Sequence, residues 1–370
     1  PQNARRLSRP SAGPNWTGGK GGSFDAFRTF EILNDTTERE RYHLAQRRFY
    51  KTLAPQTTEH MIEAHAATLS GTTRDMKRLE PLIDQMKEVG FEVLVAPTWP
   101  GQFSHADISE ENIASMKPIV EYAKERGIIV GAYELMMASR DRGPTNNCIH
   151  PITGVPGSLF GQSGCGGSEW GQMYSTNMWK MFDETGMMSF KPDGPYHGDS
   201  CASTKHPGHK GLADSQWAQW MWQCEILKEG QRRTLYLNLP DYYFLNGQSN
   251  TGMGYREAVD FIDITLQPLL YRQYIFDGTF HKTASMGWVN LNTEFLHGGP
   301  EKDLERYELF YFTLLSSGAN VGVRGFSLYD GPKIKAMLQK WTNWFKKYRT
   351  VVSGDIIHLR RPDGRDIDYY

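Results

Sequence analysis

The sequence predicts an α/β fold, a (β/α)8 barrel with a short N-terminal extension. Three observations carry this: apolar runs of strand length alternate with amphipathic helical stretches, glycines stop the helices, and the length suits one barrel-sized domain. The rhythm runs from about residue 57 to 352 of the 370 residues. No G-x-G-x-x-G turn supports the alternative, a doubly wound open sheet.

Residues 1–56 read as an N-terminal extension. Its first 24 residues are rich in Gly, Pro, Ser and Asn; Phe27–Leu33 alternates like a strand, and Thr37–Leu53 is helical in pattern. The alternation then begins with a short strand over Met61–Ala67. Met76, Leu79, Leu82, Ile83 and Met86 follow at helical spacing within Thr73–Val89, and Gly90 ends that helix. Phe91–Ala96 is the second strand, and Ser109–Arg126 the next helix, opened by Ser109-Glu110-Glu111 and stopped by Gly127. Ile128–Tyr133 is the third strand. After a long loop over Ser139–Gly167 come a helix over Ser168–Thr185 and a fourth strand, Met187–Phe190. Helix Leu212–Glu229, strand Thr234–Leu239, a short strand over Gly252–Ala258, and helix Asp263–Phe276 continue the pattern. Strand Met286–Leu291, helix Asp303–Ser317, strand Asn320–Arg324 and helix Lys333–Tyr348 complete it. Residues 353–370 read as the start of a C-terminal extension, so flanking β-rich domains are expected beyond the barrel.

Composition narrows the partners. Lys plus Arg is 41 and Asp plus Glu is 42, a net charge of −1, with no basic stripe for nucleic acid. No apolar run reaches the roughly 20 residues of a membrane span. A periplasmic or secreted bacterial enzyme is expected, its signal peptide not within this chain. The 10 Trp and 18 Tyr often stand beside Gly, Asn and Asp in loop-like stretches, as in a cleft for carbohydrate. Cys148, Cys165, Cys201 and Cys224 match no zinc spacing. A Cys165–Cys201 disulfide and free thiols are both open.

In a barrel of this kind, chemistry sits at the C-terminal ends of the strands. Those positions offer His65, Trp99, Tyr133, Lys191, Asp193, Asp241, Glu257, Trp288, Glu294 and Arg324. Carboxylates, aromatics and cations mixed in this way fit a neutral polyhydroxyl ligand, held by hydrogen bonds and stacking. The set contains no tight metal-ligand grouping, so no metal and no cofactor are expected. A site built from His197, Asp199, His206 and His209 is the weaker alternative. Lys191-Pro192-Asp193-Gly194 stands out, because an ammonium beside a carboxylate favours the ionised form that a nucleophile needs. Tyr196 and His197, in the loop that follows, are candidate substrate contacts. Trp99, Tyr133 and Trp288 are candidate stacking platforms, and Arg256 and Arg324 candidate polar contacts.

With these residues the chain resembles the retaining α-galactosidase and α-glucosidase superfamily, the melibiase-like barrels, and is close to an α-galactosidase-like group of bacterial proteins. The resemblance covers roughly Glu59 to Arg349. In that superfamily the fourth strand ends in Lys-x-Asp with the Asp as nucleophile, which implies that role for Asp193 beside Lys191. Its acid/base lies at the end of strand six, before a helix and a Ser-Ala-Met-Gly-like seventh strand. The matching stretches here are Gly252–Glu257 and Ala284-Ser285-Met286-Gly287-Trp288, which implies Glu257. The usual Trp-Thr-x-Asp motif is absent, and Leu239-Pro240-Asp241 replaces the usual strand-five end, so Asp241 stands as the rival acid/base and Asp277 as a weaker one. The implied activity is hydrolysis of α-galactosides or of related, including modified algal or plant, polysaccharide-derived sugars. Two alternatives are a barrel that binds carbohydrate without cleaving it and a metal-dependent barrel hydrolase.

Overall fold

The structure is a computed structural model that describes residues 30–55, 60–68, 71–72, 74–96, 108–136, 141–157, 163–193, 199–239, 250–251, 266–276, 288–293, 296, 299–316 and 320–368. These divide into two compact units. One gathers Leu135–Thr176 and Gly194–Ile226; the other holds Glu31–Glu134, Asn177–Asp193 and Leu227–Tyr370.

The second unit carries the sheet. Its principal strands are β1 (Glu63–His65), β4 (Val93–Ala96), β5 (Ile129–Leu135, the last residue beyond the unit), β6 (Ser189–Asp193), β7 (Tyr236–Leu239), β8 (Asn250–Thr251), β9 (Trp288–Asn292) and β10 (Asn320–Arg324). A small antiparallel ladder pairs β2 (Ala67–Thr68) with β3 (Gly71–Thr72). The eight strands lie in the order β8-β7-β6-β5-β4-β1-β10-β9, and every described register is parallel. Each neighbour is the next principal strand in sequence, and β10 returns to pair with β1. This is the strand order of a (β/α)8 barrel. Among the described residues no pairing joins β8 to β9, so the described sheet is an open, curled one.

The curl follows from side-chain contacts. Asn238 on β7 donates to Glu63 on β1 at 2.6 Å. Four strand steps separate them, about 19 Å in a flat sheet, far beyond what an Asn and a Glu side chain span together. The concave face collects alternate residues: Val93, Val95, Ile129, Tyr133 and Tyr236 pack together with Met61. Gly131 belongs to this face, where a Cβ would stand 2.4 Å from that of Ser189. The opposite face buries Ala64, Leu94, Val130, Phe190 and Leu237. Burial on both faces explains the near-continuous apolar strands.

The helices form where the pattern places them. α2 (Met76–Val89) buries Leu79, Leu82, Ile83, Met86 and Val89; Asp75 caps its start by accepting from Lys77 N at 3.0 Å. Gly90 ends it in the left-handed conformation, φ 82°. α3 (Glu110–Lys124) has Ser109 as its N-cap. α1 (Arg39–Leu53), α4 (Glu169–Thr185), α5 (Leu212–Arg232), α6 (Gln267–Phe276), α7 (Leu304–Ser316) and α8 (Pro332–Val352) match the remaining expected helices within a few residues. Tyr311 on α7 stacks on Phe91 with ring centroids 6.2 Å apart and bonds Thr342 on α8 at 2.9 Å.

Two expectations change. The strand expected over Phe27–Leu33 is not seen in its described residues, 30–33, where Phe30 and Leu33 are 50% and 93% exposed. Thr234, expected to open the strand Thr234–Leu239, instead takes a left-handed turn with φ 58°, and the strand begins at Tyr236. The expected strand over Gly252–Ala258 lies outside the described residues.

Candidate active site

β1 contributes two polar side chains to the concave face, Glu63 and His65, at the i and i+2 positions of a fully buried strand. β6 contributes Lys191 and β7 contributes Asn238. All four are buried. A carboxylate in such a place needs a counter-charge and hydrogen bonds, and both are present. The Lys191 ammonium contacts Glu63 Oε2 directly. His65 Nε2 lies 3.0 Å from the same oxygen and 3.3 Å from Lys191 Nζ. Asn238 donates to Glu63 Oε1.

These contacts set the protonation states. Burial alone would raise the Glu63 carboxyl, but the Lys191 charge and hydrogen bonds from His65 and Lys191 outweigh it and hold the group well below the usual carboxylate range. Burial, reinforced by the Lys191 charge, pushes His65 down to about 3. His65 is therefore a neutral imidazole at neutral pH. Arg324, last in β10 and opposite His65 in register, adds a smaller push in the same direction.

Of the strand-end residues singled out from sequence, His65, Lys191, Tyr133 and Arg324 are fully described. Lys191 and Arg324 both act on His65. Tyr133 is half-buried in the cluster with Val95 and Tyr236. The structure gives the Lys191 ammonium a carboxylate partner in Glu63; the expected pairing with Asp193 falls on a side chain outside those described. Asp193 is the last residue of β6, two positions after Lys191, and Trp288 opens β9; their side chains are not described. Trp99, Tyr196, His197, Asp241, Arg256, Glu257, Asp277 and Glu294 lie outside the described residues. Glu63 and Asn238 were missed. The signal for Glu63 was its place two residues before His65 in an otherwise apolar strand.

The first unit holds a second group. No disulfide forms: all four cysteines are free and buried. Cys165 and Cys201 lie instead against His206 and His209. The sequence singled out His206 and His209 but not the thiols beside them, because Cys165 reaches that loop only in the fold, from before α4 and β6.

A scan of the sequence against protein-family models finds no match, and a search among curated proteins finds none. Similarity in three dimensions is extensive. The chain is similar to the GH36 α-galactosidase AgaB of Geobacillus stearothermophilus (TM-score 0.66, 13% identity), over 86% of this chain and 46% of that one. It is similar to the α-galactosidase of Lactobacillus brevis (TM-score 0.61, 12% identity), over 87% and 45%. An α-amylase of Geobacillus thermoleovorans, solved with acarbose, matches at TM-score 0.52 and 12% identity, over 82% of each chain. The chain thus spans about half the length of these α-galactosidases, and at such identities the likeness is one of fold.

Proposed function

We propose that the chain is a glycoside hydrolase that cleaves α-galactosides, or related polysaccharide-derived sugars, with retention of configuration. The observation that carries this is the place of Asp193. It stands at the C-terminal end of β6, two positions after Lys191, which is held by a buried pair with Glu63 within a parallel, barrel-ordered sheet. Strand ends on that side are where such folds hold their reacting groups. The fold likeness supports the reading, since related α-galactosidase structures hold stachyose or raffinose.

In this mechanism the Asp193 carboxylate attacks the anomeric carbon while a second, protonated carboxyl gives its proton to the departing glycosidic oxygen. The glycosyl–Asp193 ester then forms, and the sugar leaves when water attacks the same carbon, its proton returning to the second carboxyl. Glu257 is our choice for that second group and Asp241 its rival; retention requires it about 5–5.5 Å from Asp193. Lys191 donates to a sugar hydroxyl and keeps Asp193 ionised. Tyr133, Trp99 and Trp288 stack on sugar rings, and Tyr196, His197, Arg256, Glu294 and Arg324 supply polar contacts. No resident cofactor takes part in these steps.

The test is turnover of aryl α-galactosides and of raffinose-type oligosaccharides by the chain and by Asp193→Ala. The substitution is expected to lower kcat by about 10^3-fold or more while leaving the circular dichroism unchanged. Full activity in Asp193→Ala would remove Asp193 from the role.

A further inference from the structure

The loops of the first unit bring two thiols and two imidazoles to one point. Cys165 Sγ, Cys201 Sγ and the facing nitrogens of His206 and His209 all lie within 4.8 Å of one another, and all four residues are buried. Cys165 Sγ is 3.3 Å from His209 Nε2, Cys201 Sγ is 3.4 Å from His206 Nδ1, and the two nitrogens are 3.2 Å apart. A tetrahedral ion with Zn–N of about 2.0–2.1 Å and Zn–S of about 2.3 Å has ligand–ligand edges of roughly 3.3–3.8 Å. The observed separations approximate those edges. The rings stand nearly perpendicular, at 84°, so their facing nitrogens converge without stacking.

The surroundings orient these groups as a metal's ligands are oriented. His206 Nε2 lies 3.0 Å from the Thr145 carbonyl. Donation there puts the proton on Nε2 and leaves the Nδ1 lone pair facing the other three groups. The Cys201 sulfur accepts from Ile149 N at 3.4 Å. The Cys201 sulfur is thus placed as an acceptor, as a thiolate is. Cys148 differs: its sulfur lies near the carbonyl oxygens of Asp199 and Gly164 and near Gln219 Oε1, at 3.6, 3.9 and 3.8 Å, a setting for a protonated thiol. The backbone is fitted to the same end. Gly208 N donates to Gly167 O at 2.7 Å, and a Cβ on Gly167 would meet the His209 ring at 2.6 Å.

We propose that Cys165, Cys201, His206 and His209 form a tetrahedral zinc site that staples the loop after β5 to the loop after β6. Two thiolates and two neutral imidazoles suit zinc and balance its charge. Four protein ligands leave no open position for a water, so the ion is structural and serves no hydrolytic step. Because the ligands come from separate loops, binding is coupled to folding of this unit.

The experiment is metal analysis of the full chain purified without chelator, with thiol titration in denaturant. One equivalent of zinc per chain and four titratable thiols are expected. Cys165→Ser and His209→Ala should lose the zinc, whereas Cys148→Ser and His150→Ala should retain it and so control for folding. Cobalt replacing the zinc should give the intense visible bands of a tetrahedral thiolate site. A chain with four free thiols that takes up neither zinc nor cobalt overturns the proposal. So does a titration of only two thiols, which signals a disulfide, or loss of the metal in Cys148→Ser alone.

Discussion

Lys191 is one residue with two neighbours that matter, Glu63 in space and Asp193 along the strand. Removing its charge would strand a carboxylate in the sheet interior. Lys191→Met should therefore cost about 3–5 kcal/mol in urea unfolding, and Glu63→Gln together with Lys191→Met should recover part of that loss. An unchanged midpoint in the single variant would mean that the pair stabilises nothing. His65 gives a second residue-scale consequence. Its folded-state pKa, about 3, lies below the ordinary value of 6.5. The unfolded chain therefore binds this proton first on acidification, so the contribution of His65 is complete above about pH 6.5 and lost as pH falls toward 3. Glu63, held low, loses its contribution only below its ordinary carboxyl range. The difference in stability between the native chain and His65→Gln should shrink between pH 6.5 and 4.5, by at most about 1.4 kcal/mol per pH unit. A difference that is flat with pH would show His65 charged, or exposed, in the fold.

At the scale of elements, the helix stops separate two costs. Gly90 and Gly127 both hold left-handed backbone, φ 82° and 74°. Around Gly127 an added Cβ would meet nothing within 4 Å, while at Gly90 it would meet Thr342 Cγ2 at 3.1 Å. Gly127→Ala should cost about 1–2 kcal/mol from backbone strain alone, and Gly90→Ala more, as read by thermal unfolding. Equal losses would mean that α8 yields freely at Thr342. These elements were legible because local chemistry decides them: Asp75, Ser109, Gly90 and the apolar stripe of α2 act within a few residues of one another. What the sequence hid acts at a distance. Glu63 finds Lys191 across three strand steps, and Cys165 finds Cys201, His206 and His209 across a helix and a strand. Spacing along the chain carries no trace of such meetings.

At the scale of the molecule, the alternation of strands and helices pointed correctly to a parallel sheet in barrel order, because each strand–helix unit buries its own apolar face on its neighbour. The loops after β5 and β6 were legible as loops, the second with candidate ligands, but not as a compact unit, which is what they form with the helical segments that follow them. In the proposed function, Lys-x-Asp at the end of the fourth strand of that alternation joins fold to chemistry, and the proposed hydrolysis depends on it. The direct measurement is intact mass after incubation with an α-galactose-configured cyclophellitol aziridine, followed by peptide mapping. A single adduct on Asp193 is the predicted result, and it would fix nucleophile, retention and sugar configuration together. An adduct on a different carboxylate, or none with this or any other sugar-configured probe while the chain stays folded, would contradict it.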